Sequence, residues 1–180
     1  MSFTVRRPIH HYSPIREIRW RRRAILGLFL LVSAVLQGAG GGAGVFFYFR
    51  PDLVLIVVVA WAMIEGPASG WWAGLAGGFL VDLFTAGGLG LHTLSLGAAG
   101  WLAAAASGSL YRRHLPTRIL MVAAAALAAG VIYCLLLLLF GVPPAWPAAW
   151  RRMIWPRVWQ TVLISPVWLL AADRLLAGRR

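Results

Sequence analysis

The sequence predicts an all-α integral membrane protein with about six transmembrane helices. Three observations carry that reading. Of 180 residues, 61% are hydrophobic and only 12% are charged, where a soluble domain carries about 25% charged residues. Apolar runs near the length that crosses a bilayer, about 20 residues, alternate along the chain with short Gly-, Pro- or Arg-rich breaks. The charged residues that remain are mostly arginines, and these gather at the ends of the apolar runs.

The elements follow in order. Residues 1–23 are polar and basic and read as a cytoplasmic N-terminal tail. A first helix is expected over Ala24–Gly40, and "GAGGGAG" (Gly38–Gly44) as a flexible break. A second helix is expected over Val45–Ile64, with Pro51 in its first turns, where its missing N–H costs little. A third spans Pro67–Phe84 and a fourth Leu89–Leu110. "YRRHLPTR" (Tyr111–Arg118) reads as a polar loop and Ile119–Phe140 as a fifth helix. "GVPPAWPAAWRRMIW" (Gly141–Trp155) reads as a connection rich in Pro and Trp, suited to the membrane–water interface. A sixth helix is expected over Pro156–Leu176. Residues 24–177 therefore form one transmembrane helical domain, and 178–180 a cytoplasmic end.

The formal net charge is +12, and every basic side chain besides histidine is arginine. Seven arginines lie in the N-terminal tail, three in Tyr111–Arg118, and three are Arg174, Arg179 and Arg180. Arg50, Arg151, Arg152 and Arg157 lie at the other ends of the helices. Thirteen against four puts both termini in the cytoplasm by the positive-inside rule. Basic residues so placed set topology and contact anionic lipids rather than nucleic acid. The cluster Arg151, Arg152, Arg157 dissents from the rule and suits a half-buried interfacial segment or a partner contact.

Cys134 is the single cysteine, so no internal disulfide and no zinc spacing exists; it reads as a small buried residue. Ser95 and Ser107 have no histidine–carboxylate partner at motif spacing. The glycine runs lack a phosphate-loop ending. No cofactor or metal is expected, and no enzymatic activity.

Gly70, Gly74 and Gly78 recur every four residues and share one helix face, which Gly77 widens. Lipid gives helices no hydrophobic reason to associate, so small residues that let backbones approach become the packing device. That face suits packing against helix 2 or 4, or a partner protein. Asp82, Gly87, Gly88 and Gly90 mark a turn between helices 3 and 4. The Asp82 carboxylate is placed to accept backbone N–H groups of that turn or of the start of helix 4, where the helix dipole is positive. The competing reading is a proton or cation site shared with His92. Asp52 and Glu65 lie near helix ends, suited to hydration or an arginine partner; Arg50 and Asp52, flanking Pro51, are candidates for local pairing.

The stretch "FRPDLVLIVVVAWAMIEGPASGWWAGLAGGFLVDLFTAGGLGLHTLSLGAAGWLA" resembles the bacterial rod shape-determining MreD family. The shared marks are Arg50-Pro51-Asp52 opening helix 2, Gly78 to Leu83 with Asp82 inside it, and Leu89-Gly90 after it. "WPRVWQTVLISPVWLLAADRLL", with Pro166, resembles the family's last helix. The resemblance implies a non-enzymatic scaffold in the inner membrane, working in cell elongation and peptidoglycan synthesis. It implies MreC, MreB, RodA and a class B penicillin-binding transpeptidase as partners. It also implies a fold similar to the substrate-binding subunits of energy-coupling-factor transporters, and hence an alternative function as a small-molecule-binding subunit.

Overall fold

The structure, a computed structural model, describes residues 14–39, 50–85, 90–107, 114–142 and 145–177, and all regular structure among them is helical. The elements are α1 (Pro14–Ala39), α2 (Leu53–Glu65), α3 (Pro67–Phe84), α4 (Leu91–Ala106), α5 (Leu115–Leu139), α6 (Trp146–Ala149), a π-helical turn (Trp150–Ile154) and α7 (Trp155–Ala177). The last three run on as one helix of 32 residues, Trp146–Ala177. This helix and α5 are each long and apolar enough to cross a membrane.

The core is built around α2. Ten of its 13 residues are buried, and it touches α1, α3, α4, α5 and α7. At 1.5 Å per residue it is only about 20 Å long. Its run of Val, Leu and Ile is therefore buried by other helices on every side, which explains why it shows no polar face. Leu30 and Ala34 of α1, Ala73 of α3, Leu96 and Ala99 of α4, Val122 of α5 and Leu169 of α7 close around it.

Several boundaries differ from expectation, each for a local reason. α1 begins at Pro14 rather than Ala24, so residues 14–23 are helix and not tail. Arginine is a good helix former, and Arg23 reaches Glu65 at the end of α2 at 2.8 Å. α2 begins at Leu53 rather than Val45, because Asp52 caps it: the Asp52 carboxylate accepts the N–H of Leu55 at 3.2 Å. Pro51 thus precedes the cap instead of lying in the first turns. Most of the glycine break (residues 40–44) lies outside the described residues, as do residues 45–49. α4 begins at Leu91, after Gly90, whose φ of 104° lies in the left-handed region that favours glycine. α5 starts four residues early, and Pro116 in its first turn needs no N–H there.

The largest difference lies in residues 141–155, expected as a connection. From Trp146 they are helical, with Pro147 in the first turn. Pro156 has no N–H for the preceding turn, and the wide π turn lies directly before it. Pro166 interrupts the ladder again inside α7. There the hydroxyl of Ser165 donates to the carbonyl of Val162 at 2.8 Å, supplying the bond that Pro166 cannot.

Candidate functional site

Side chains with chemistry to offer gather at one end of the bundle, where α2, α4 and the π turn begin and α3 ends. The seam between α3 and α4 sets the geometry there. Gly70, Gly74 and Gly78 all face α4, in close approach. A Cβ added at Gly70 would stand 2.7 Å from the carbonyl oxygen of Gly100, and one at Gly100 would stand 2.6 Å from that of Gly70. At Gly74 an added Cβ would collide with the backbone of Leu96 and Gly97, and at Gly78 with that of His92 and Thr93. Gly77 instead looks toward Val54 of α2 and Leu30 of α1. The four-residue glycine face is thus packed against α4, with Ala62 of α2 also against Gly70.

This seam delivers Asp82, 3% exposed, to the start of α4. One carboxylate oxygen accepts the backbone N–H groups of Gly90 at 2.9 Å and Thr93 at 3.0 Å, and the Thr93 hydroxyl at 2.7 Å. The other accepts the His92 N–H at 3.1 Å and its ring Nδ1–H at 2.9 Å. A helix leaves its first N–H groups without internal partners. Gly90, the capping residue, has no side chain to serve them, so Asp82 caps α4 from the preceding helix. An anion here also meets the positive end of the helix dipole.

A second node sits beside it. Asp52, also 3% exposed, accepts from the Arg157 guanidinium at 2.9 Å. Its own N–H donates to the Thr161 hydroxyl at 2.8 Å, which in turn donates to the Arg157 carbonyl at 2.7 Å. The Arg50 N–H donates to the Gln160 side chain at 2.7 Å. Gln37 of α1 joins from the other side, accepting the Val54 N–H at 3.2 Å and facing Asp52 at 3.4 Å. Arg50-Pro51-Asp52 therefore ties the start of α2 to both α1 and α7.

Between the nodes lies a cavity of about 20 Å³, bordered by Asp52, His92, Ser95, Tyr133 and Arg157 among others. That is room for about one water molecule. The His92 and Tyr133 rings lie 4.8 Å apart, tilted. The Ser95 hydroxyl donates to the His92 carbonyl at 3.2 Å. Among the described residues no cluster of His, Cys, Asp and Glu could hold a metal ion. The hydrogen bonds and charges at this end join the starts of α2 and α4 to α1, α3 and α7.

The sequence placed Asp52, Asp82, Gly90 and His92 near this end, and the structure brings them together. Gly87 and Gly88 lie outside the described residues. Arg157, Gln160, Thr161, Gln37 and Tyr133 were missed. Arg157 had a signal: it belongs to the arginine cluster on the side where the positive-inside rule expects few. The pair at the far end, Arg118 with Asp173 at 2.5 Å, was missed because Arg118 was read as loop; it is in the first turn of α5 and buried.

A family model described as rod shape-determining protein MreD matches residues 19–173. No curated protein gives a significant match, and neither does any solved structure.

Proposed function

The chain belongs to the rod shape-determining MreD family of membrane proteins, and we propose that it is a non-enzymatic, multi-pass scaffold of the inner membrane in the bacterial cell-elongation complex. In this reading it packs with MreC and with the RodA/penicillin-binding transpeptidase pair that makes peptidoglycan, and MreB lies behind them in the cytoplasm. Six helical rods cross or enter the bilayer with both termini cytoplasmic. The arginines at the start of α1 meet the anionic lipids of the inner leaflet.

The observation that carries the scaffold reading is the family match over 155 of 180 residues. The site supports it. The carboxylates of Asp52 and Asp82 are engaged by donors of the chain itself, as expected of a clamp that fixes helix geometry. Many large apolar side chains lie on the outside, among them Trp72, Phe79 and Leu83 of α3 and Leu28, Leu31 and Leu36 of α1. Such faces fit lipid and the helices of other membrane proteins alike.

The alternative, a small-molecule-binding subunit like those of energy-coupling-factor transporters, needs a larger hollow. Pockets for such ligands run to about 300–1,000 Å³ and enclose most of the ligand, against about 20 Å³ between the two nodes; the hollow at Trp150, Arg151 and Trp155 is an open groove rather than an enclosed pocket. The test is purification of the tagged full chain in mild detergent, with mass spectrometry of co-purifying proteins and small molecules, beside complementation of rod shape in cells lacking the native protein. MreC and the synthase pair co-purifying with a complementing chain supports the scaffold. A stoichiometric small molecule with no protein partner would replace it with the binding reading.

A further inference from the structure

The three dissenting arginines divide in the structure. Arg157 turns inward to Asp52. Arg151 and Arg152, in the π turn, are exposed and make no ion pair with any described residue. The described carboxylates are already engaged: Asp52 is paired with Arg157, Glu65 with Arg23 and Asp173 with Arg118, and Asp82 is held by the donors of Gly90, His92 and Thr93. The fifth acidic residue, Glu17, lies on α1 20 residues before Gln37, which touches Asp52; that is about 30 Å along the helix. Two guanidinium groups at this end of the bundle thus have no ion-pair partner among the described residues.

Their surroundings are specific. Trp150, Arg151 and Trp155 line an open groove of about 370 Å³. The π turn closes with the Trp155 N–H on the Trp150 carbonyl, which sets the two indoles one turn apart on either side of Arg151. Below the groove, Trp155, Trp159, Leu163 and Val167 recur every four residues, followed by Leu170, and all are exposed, at 46–66%. A four-residue repeat is one face of a helix. That face therefore reads, from its end inward, as Arg151 with Arg152 next to it in the chain, then two tryptophans, then the aliphatic Leu163, Val167 and Leu170, about 20 Å in all from Trp155 to Leu170. Half a bilayer core is about 15 Å.

We propose that the π turn and this stripe form a binding site for one anionic phospholipid, its phosphate on Arg151 and Arg152 between Trp150 and Trp155, and an acyl chain along Trp159, Leu163 and Val167. Guanidinium matches phosphate oxygens through paired N–H donors, and tryptophan suits the level where headgroup meets chain. A free phosphate would use the arginines alone, and an acidic protein segment would leave the aliphatic stripe without a role. The inference rests on the membrane reading and not on the identity of any protein partner.

The test uses the purified full chain in detergent, with native mass spectrometry after addition of phosphatidylglycerol, phosphatidylcholine or inorganic phosphate. Phosphatidylglycerol should be retained in preference to phosphatidylcholine. The double variant Arg151→Gln/Arg152→Gln should lower that retention by on the order of tenfold or more, with the melting temperature unchanged because both side chains are exposed. Arg151→Lys/Arg152→Lys should retain part of it, and Leu163→Gln should weaken it without touching a charge. Equal retention of both lipids, or full retention by the double Gln variant, overturns the proposal. So does displacement by inorganic phosphate with no effect of Leu163→Gln, which marks a simple anion site. Unchanged lipid retention with loss of a co-purifying protein would give the arginines to a protein contact instead.

Discussion

Between α3 and α4 the contact is backbone against backbone; between the start of α2 and α7 it runs through polar side chains. The first joins neighbours in the chain, through Gly70, Gly74, Gly78 and Gly100. The second joins segments about a hundred residues apart, through Asp52, Arg157, Gln160 and Thr161. Each ends in a buried aspartate, but the aspartates work differently. Asp82 collects five donors, three of them backbone N–H groups. Asp52 balances a guanidinium. The glycine seam is limited by space and the α2–α7 clasp by charge, so the two should fail to different substitutions.

The largest effect is expected at the seam. Gly74→Leu or Gly78→Leu places a branched side chain on the backbone of α4, which cannot give way as a side-chain tip can. Overpacking costs about 1–3 kcal/mol, and more where nothing relaxes; these two sites belong at or above the top of that range. Little monodisperse protein should survive size-exclusion chromatography. Gly77→Ala sharpens the contrast, because an added Cβ there meets the side chains of Val54 and Leu30; it should fold with a lower melting temperature. If both Leu variants fold with the native melting temperature, the backbones are not in contact.

Asp82→Leu comes next. It removes the acceptor for all five donors, and each donor stranded in a buried site costs about 1–3 kcal/mol. Some of these regain partners as α4 frays, so the expected loss is roughly 3 kcal/mol in total. It should appear as a lower melting temperature together with faster amide exchange at residues 90–93, while the far pairs Arg23–Glu65 and Arg118–Asp173 stay intact. Exchange spread evenly over the whole bundle would show that Asp82 is not a local clamp.

The charge clasp should yield less. Arg157 is partly exposed, its side chain at 29%, so solvent can hydrate it once Asp52 is neutral. Asp52→Asn and Arg157→Gln should each cost about 1–2 kcal/mol, below the 3–5 kcal/mol typical of a fully buried broken pair. The double variant should cost clearly less than the two singles together, since neither residue then faces an unmatched charge. Strict additivity in thermal melts would remove the ion pair from the account of how α7 is held.

How far the sequence revealed these two regions follows from their chain separation. The third helix, its glycine face and a carboxylate beside the start of α4 could be read because their signals are local: a four-residue period, and an Asp one turn before a glycine cluster. Asp52–Arg157 could not, since no period links residues so far apart; only the misplaced arginines hinted at it. The helix over 146–155 was hidden by its prolines. Pro147 and Pro156 look like loop residues until one sees the first lying in a first turn, and the second following a π turn. The arginines of residues 16–23 were read as tail because charge argues for water, yet a helix can carry them beyond the bilayer.

The finest distinction between the two aspartates is what an amide does in place of each. The sequence alone suggests that Asp82→Asn should be well tolerated, because an amide oxygen still accepts backbone hydrogen bonds. The geometry makes that too generous. Asparagine offers one acceptor oxygen where five donors converge on two. With its oxygen toward Gly90 and Thr93, its NH₂ must face the His92 N–H, donor against donor. The His92 ring can adapt, since the neutral imidazole can move its proton to Nε2 and accept at Nδ1. The backbone N–H cannot. One bond is lost and one repulsive contact made, for about 1–2 kcal/mol, less than Asp82→Leu and close to Asp52→Asn. The distinguishing measurement is the second substitution in each pair. His92→Gln in the Asp82→Asn background should change the melting temperature little, because backbone donors dominate that site, whereas Arg157→Gln should cost clearly less in the Asp52→Asn background than it does alone. Rod-shape complementation should follow stability in both series. Native stability with complementation abolished in Asp82→Asn would mean that the charge of Asp82 itself is used, and that the clamp is also a site of proton or cation chemistry.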